Sequence, residues 1–431
     1  MISPPLQRSM TVLNRDVFQN TLKLIAIRVP TQNIGKYMKL LSKELLNQPR
    51  MRNIIEDNDS TATKLMLLRL DTQTKELENV SEEVKDLIKT DGLDLIEHQV
   101  TVKYDYWNAE EILRAILPEE LPVQSSYETI GHIAHMNLRE EYLPYKNLIG
   151  EVILDKTKHI RTVVNKLDSI DTTFRFFKME ILAGENDMIA EMRESGCQFK
   201  FDFSKVYWNS RLHTEHERLV QLFKKEENIC DVMAGVGPFA VPAAKKGCTV
   251  YANDLNPESY KWLCENIKLN KNKTCVPFNM DGRDFIRNSV DNLNQNRKEG
   301  TPFQTFHHYV MNLPATAIEF LDAFVGLFHG KETLITEPDI QLPMVHCHCF
   351  SRSEDPKADI LERIYQVMGY KVDAETSSIH HVRSVAPNKD MYCASFRLTP
   401  EIVFANIKRK QVEVEDTCTK KPKAEEIDSA N

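Results

Sequence analysis

From about residue 212 to 400 the chain repeats one pattern: a short apolar run that ends in a polar residue, then a stretch with the spacing of an amphipathic helix. The runs are NICDVMA, TVYANDL, CVPFNMD, HHYVMNLP and MVHCHCF, and between them lie a segment opening at Pro238, SYKWLCENIKLN and IEFLDAFVGLF. Such alternation on short connections predicts a doubly wound α/β fold around a parallel sheet. A last pair of runs, HHVRSVAP and MYCASFRL, joined by NKD, reads as an antiparallel hairpin closing that sheet. Ligands of such sheets lie over the carboxyl ends of the strands, so the polar residues that end the runs are the first candidates for a site.

Residues 1–118 read as a separate N-terminal domain, with helical spacing in TQNIGKYMKLLSKELLNQ and strand alternation in HQVTVKYDYW. The proline- and serine-bearing stretch LPEELPVQSS has linker composition, and 119–205 alternate helical and strand signals as a small mixed αβ domain. The sheet domain takes 206–405, and the Lys- and Glu-rich residues 406–431 read as a disordered tail. No run approaches the roughly 20 apolar residues of a membrane span, so no membrane role is expected. The nine cysteines are odd in number and scattered, which favours a reducing compartment over a disulfide framework and points to the cytoplasm. The first fifteen residues carry two arginines and no acid, which leaves a mitochondrial pool open beside a nuclear one.

The first run opens into AGVGPF, where Gly235 and Gly237 can take conformations and permit approaches that a side chain forbids. A lone Gly-x-Gly does not choose a ligand, because Ala240 in the third glycine position is tolerated in dinucleotide enzymes. The later strand ends choose. Asp254 in YANDLNP can accept both hydroxyls of a ribose, Leu255 can pack on an adenine, and Asp281 with Gly282 in NMDGRD can read its edge. Asn312 and Pro314 in MNLPAT stand where a methyl group would leave sulfur. Four ligand-facing strand ends in succession suit S-adenosylmethionine better than a nicotinamide dinucleotide, and the hairpin-closed sheet is that of a class I, Rossmann-like methyltransferase. HCHCF, residues 346–350, invites a zinc reading, but on a strand the histidines share one face and the cysteines the other, so neither face alone offers four ligands and no metal is expected.

VYWNSRLHTEHERL, DVMAGVGPFAVPA, NDLNP, MNLPA and VAPNKDMYC, with GHIAHMNL upstream, together resemble the archaeal and eukaryotic tRNA guanine-N1-methyltransferase family that acts on guanosine 37 beside the anticodon. The resemblance runs from Tyr127 to Leu398, and residues 1–115 match only loosely, as a eukaryotic-type N-terminal domain. It implies transfer of a methyl group from S-adenosylmethionine to N1 of that guanine, with the anticodon stem-loop and body of tRNA as partner; a monomer is expected. N1 gives up its proton only well above neutral pH, so the reaction needs a base. The resemblance assigns that role to Glu215, whose pKa a desolvated pocket would raise towards neutrality, and gives Arg175 the charge developing on O6. Arg211, four residues before Glu215, is expected to orient it or to bind substrate phosphate. His216 falls on a cofactor position where other members carry arginine.

A net charge of −8 opposes a nucleic-acid partner for the molecule as a whole, so tRNA must be gripped by a local basic face. Arg161, Lys166, Arg383 and Lys389 are the candidates for it. Two alternatives share the fold. One is a tRNA wybutosine-pathway enzyme transferring an aminocarboxypropyl group, whose relatives differ at the turn occupied here by NLPAT. The other is a catalytically silent RNA-binding scaffold, whose mark would be a missing acid or glycine; none is missing.

Overall fold

The computed structural model describes residues 2–8, 10–170, 177–295, 302–334 and 341–406. Arg175, and the expected tail from residue 407 onward, lie outside the described residues. Contacts divide the chain into two compact units, Met1–Arg193 with Gln198–Arg211, and Glu194–Cys197 with Leu212–Asn431.

The first unit holds two four-stranded sheets. In one, Gln19–Pro30 pairs antiparallel with Thr63–Leu67 on one side and Asp94–Lys103 on the other. Strand alternation sends Ile25, Ile27 and Val29 to one face, where they pack with Tyr37, Val84 and Ile88, and Leu24 and Ala26 to the opposite face. The helix expected over 31–48 is short, Ile34–Leu40; beyond it the chain turns so that Leu45 bridges Leu68 and the Leu46 amide reaches Leu67. Those leucines cover a sheet edge instead of continuing a helical stripe. The second sheet runs Glu128–Ile130, Ile133–Met136, Thr162–Ile170, Phe177–Gly184. A single core links Ile2, Phe18, Trp107 and Ile112 with Met136, Ile149 and Val163, so packing is continuous across the linker-like stretch at 117–126.

The second unit is a seven-stranded sheet. Its strands are β1 (Asn228–Asp231), β2 (Thr249–Asn253), β3 (Cys275–Phe278), β4 (His308–Met311), β5 (Met344–Ser351), β6 (Ser378–Ala386) and β7 (Lys389–Arg397). Its longer α-helices are α1 (His213–Leu222), α2 (Ala240–Lys246), α3 (Pro257–Leu269), α4 (Gly282–Asn294) and α5 (Pro356–Met368). The spatial order is β3-β2-β1-β4-β5-β7-β6; β1 to β5 are parallel and β7 runs antiparallel to both β5 and β6. This is the expected doubly wound sheet with its closing hairpin, turned at Asn388 with φ 56°. The helical spacing of IEFLDAFVGLF becomes a 3₁₀ helix, Ala317–Phe324, packed with α4 and α5 over Tyr309, Val345, Cys347 and Cys349. Among the described residues no helix is long and apolar enough to cross a membrane.

Candidate active site

Chain reversal at the carboxyl ends of β1, β2 and β3 brings together five of the predicted cofactor residues, Gly235, Asp254, Leu255, Asp281 and Gly282. Asn253, the last residue of β2, laces the three ends together: its Nδ2 donates to the carbonyls of Val232 (3.1 Å) and Met280 (3.0 Å), and its Oδ1 accepts from the Met280 amide (2.8 Å). The two glycines have different reasons to be glycine. Gly237, at φ 99°, would drive a Cβ to 2.8 Å from Val241 and 2.9 Å from Leu263, so it is a packing glycine. Gly235, at φ 56°, has nothing within 4 Å of a built Cβ; its side is open, as close approach of a ligand to backbone requires.

Asp254 shapes this loop. Its Oδ2 accepts from the Gly235 amide at 2.8 Å and its Oδ1 from the Asn256 amide at 2.9 Å. Burial raises its pKa to about 6 against the pull of those bonds. The Ser259 hydroxyl adds a third bond, and a carboxylate has about four acceptor sites, so capacity remains for one ribose hydroxyl. Leu255 beside it is 51% exposed, an apolar side chain only half covered by protein. Asp281 is exposed and caps α4, accepting from the Arg283 amide at 2.9 Å, while Gly282 is buried under Phe320 and Met233. Asn312 presents a buried Oδ1 without a hydrogen-bond partner, an acceptor awaiting an N–H or O–H. The turn that follows is anchored by the Phe350 amide, which donates to the Pro314 carbonyl at 3.1 Å. An open glycine, a ribose-capable acid, an exposed leucine and an unpartnered amide together fit a nucleoside cofactor such as S-adenosylmethionine.

Glu215 lies in the first turn of α1 and is 3% exposed. Arg218, one turn later, grips both of its oxygens, Nε to Oε2 at 2.6 Å and the terminal nitrogen to Oε1 at 2.8 Å. His348 of β5, fully buried, places Nε2 2.7 Å from Oε1, and His380 of β6 stands 3.8 Å from Oε2. The expected upward shift is therefore reversed. Burial is the largest influence and does raise the pKa, but hydrogen bonds from Arg218 and His348 outweigh it and hold Glu215 down at about 2. In His348 burial opposes the charge, yet Cys393 and Glu215 beside it raise the pKa. The arginine that meets Glu215 is Arg218, in place of the expected Arg211, which is exposed and whose amide is held by Asn209. His216 is buried, with Nδ1 2.6 Å from Glu194 Oε1 and its ring edge-on to Phe239. Its imidazole packs inside the unit, so a cofactor contact from this position falls to the backbone.

HCHCF splits as strand geometry demands, Cys347 and Cys349 entering the core and His346 and His348 facing the other way. Ligating atoms of Glu215, His348 and Cys393 lie within 4.8 Å of one another. The guanidinium of Arg218 already occupies both carboxylate oxygens, and a second cation there would be repelled, so the trio reads as an ion-pair network. Asp231 closes β1 with both carboxylate oxygens buried and unpartnered. Burial first, and the Asp254 carboxylate second, push it to about 8. Of the basic face expected for tRNA, Arg161 spends its guanidinium on Glu185 and Asp187, and Lys389 lies over the Phe350 ring.

Residues 190–335 match the TRM5/TYW2 methyltransferase domain family, and residues 109–187 the TYW2 N-terminal domain family. A tRNA (guanine(37)-N(1))-methyltransferase of Schizosaccharomyces pombe is 48% identical over 422 residues, covering 91% of this chain and 95% of that one. The chain belongs to the tRNA (guanine(37)-N(1))-methyltransferase family. A member from Batrachochytrium dendrobatidis is 47% identical over 454 residues, 96% of this chain and 95% of its own. Among solved structures, the complex of aTrm5 with tRNALeu shares the fold, with a TM-score of 0.61 at 21% identity over 87% of this chain and all of the other. Placed in this family, the sequence pattern had marked the strand-end residues and, for another purpose, His348, but given no role to Asp231, Arg218 or Cys393. Asp231 and Arg218 carried a linear signal, an acid ending β1 and a Glu-x-x-Arg spacing on α1.

Proposed function

We propose that this chain transfers the methyl group of S-adenosylmethionine to N1 of guanosine 37 in tRNA, with Glu215 taking the N1 proton. The observation carrying this reading is a buried, ionised carboxylate in the same unit as a nucleoside-shaped set of strand ends. Asp254 would hold the ribose, Leu255 would cover the adenine with Asp281 and Gly282 at its edge, and Gly235 would let the cofactor approach the backbone. When bound, the cofactor supplies an electrophilic methyl on a sulfonium. Asn312, with its free acceptor, and Pro314 would position the target base; Arg175 would face the charge on O6, and Arg211 the RNA backbone. A carboxylate held at about pKa 2 is always ready to accept a proton at neutral pH but cannot keep one, so Arg218 must loosen or the proton must move on.

Mass spectrometry of nucleosides from tRNA incubated with methyl-labelled cofactor tests the reaction, with labelled 1-methylguanosine expected. A labelled aminocarboxypropyl product would favour the second reading, which rests on the match of residues 109–187 to the TYW2 N-terminal domain. Glu215→Gln tests the base: the single-turnover rate is expected to fall by roughly 10²- to 10⁴-fold with tRNA binding retained. An undiminished rate removes Glu215 from that role.

A further inference from the structure

Glu215 has three basic neighbours, and they differ in what they can do with a proton. Arg218 is a guanidinium and stays charged at every working pH. Burial opposes charge on His348, but Cys393 and Glu215 outweigh it and keep that imidazole protonated. Neither can accept. The third neighbour is His380, whose Nε2 stands 3.8 Å from Glu215 Oε2 and whose side chain is 43% exposed, against 28% for Arg218 and 0% for His348. Its place follows from the sheet. β6 is the edge strand, and the register sets His380 opposite Cys393 of β7, which is itself opposite His348 of β5. Strand alternation therefore puts His348, Cys393 and His380 on one face, in a row that runs from the buried middle of the sheet to its open edge, with Glu215 over it. Ile379 turns to the apolar side, and His381 towards Asp390 and Tyr392.

That position answers a need the reaction creates. Glu215 is 3% exposed, and a proton it takes is disfavoured by Arg218 and His348 alike. We propose that His380 takes this proton from Glu215 and releases it to water, an inference that rests on the reading of Glu215 as the base. The N1–H bond breaks as N1 receives the methyl group, and the proton joins Oε2, the oxygen that His348 does not hold. The O–H then donates to the lone pair of His380 Nε2. Glu215 is a carboxylate again, His380 is an imidazolium, and water removes its proton, so every group returns to its starting state and no further reactant is needed. A hydrogen bond between the two requires about 2.8 Å, leaving an approach of about 1 Å. A side chain nearly half exposed on an edge strand can make it, the more so because the pairing of β6 shifts register just beyond, between His381 and Arg383. The transfer runs downhill, since a neutral imidazole is a stronger base than a carboxylate held at about 2. Neutrality is also provided for. Burial first, then Arg218, with His381 and His348 adding, lower His380 below its ordinary 6.5 against the opposing pull of Glu215, and Cys393 across the register completes the set of titratable groups facing it.

His380→Ala leaves a gap that a small base from solution can enter, which makes imidazole the probe. Methyl transfer to tRNA is timed in single turnovers at saturating cofactor and tRNA and constant ionic strength, with each variant checked by thermal melting. At pH 7 the rate in His380→Ala is expected to fall about tenfold or more with tRNA affinity retained. Added imidazole is expected to restore it in proportion to its neutral form, and to leave the parent and Glu215→Gln unchanged. His380→Gln, whose amide fills the gap, is expected to show the same loss without rescue, and it carries the test if the alanine variant does not fold. Between pH 5 and 8 the parental rate is expected to fall as acid protonates His380, and both variants to lack that inflection. A parental rate in the folded variants overturns the proposal, as does a loss in His380→Ala that imidazole does not repair. A loss that follows weakened tRNA binding also overturns it and makes His380 an RNA contact. Failure of the base reading looks different: Glu215→Gln would then transfer methyl at the parental rate, and a rescued loss in His380→Ala beside it would make His380 itself the base.

Discussion

Replacing Asp231 by Asn should change the pH dependence of stability in a way that reverses sign. The folded chain raises this carboxyl from 3.8 to about 8, chiefly by burial and then by the nearby Asp254 charge. A raised pKa means the folded state binds the proton more tightly than the unfolded one. Its stabilising contribution is therefore complete below about pH 4 and is lost as pH climbs through 8. Each unit is worth about 1.4 kcal/mol, so the buried acid costs about 1.5 kcal/mol at pH 5 and on the order of 5 kcal/mol at pH 8. Asn removes this charge but adds an N–H₂ with no better partners, at about 1 to 3 kcal/mol independent of pH. Asp231→Asn should thus be neutral or destabilising at pH 5 and stabilising by about 2 to 4 kcal/mol at pH 8. Urea unfolding of parent and variant at pH 5, 6, 7 and 8 reads the difference, in which titrating groups not coupled to position 231 cancel. Parallel curves for the two proteins would refute the assignment of a protonated, unpartnered acid at the end of β1.

Asp254 should make cofactor affinity acid-sensitive: as pH falls below about 6 the carboxylate protonates and loses acceptors, so binding weakens by up to tenfold per unit. Calorimetry between pH 5 and 7 checks this, and Asp254→Ala should flatten the profile while costing about 1.5 to 3 kcal/mol of affinity at pH 7. Gly237→Ala should cost stability, about 1 to 3 kcal/mol in urea, because its Cβ meets Val241 and Leu263. Gly235→Ala should cost cofactor affinity more than stability, its strain being about 1 to 2 kcal/mol; the opposite ranking would mean the open side of Gly235 faces no ligand.

The sheet, its closing hairpin and the strand-end residues were legible because each strand is a bounded apolar run whose last residues must turn towards a ligand. Asp281 shows the limit of that reading. It was expected to contact an adenine, but an Asp–Gly before a helical stretch is also a cap, and in the folded chain its side chain bonds the Arg283 amide. The expected pKa of Glu215 failed for a related reason. Burial could be anticipated from its place in an amphipathic segment, whereas its partners could not be, since His348 and Cys393 arrive from β5 and β7 through a register that no local pattern specifies.

One line of the sequence nonetheless carried more than was drawn from it. A parallel strand covered on both faces should read as a continuous apolar run, yet β5 alternates histidine with cysteine. Both histidines are nearly inaccessible, His346 at 2% and His348 at 0%. Two imidazoles do not enter a core without partners, because an unpaired buried polar group costs more than the bond it forgoes. Alternation in a strand that cannot face water therefore requires polar groups on the facing elements. Here Glu215 comes from α1, Cys393 and Ser395 from β7 and His308 from β4, and their convergence gives the two imidazoles partners on one face of an otherwise apolar sheet.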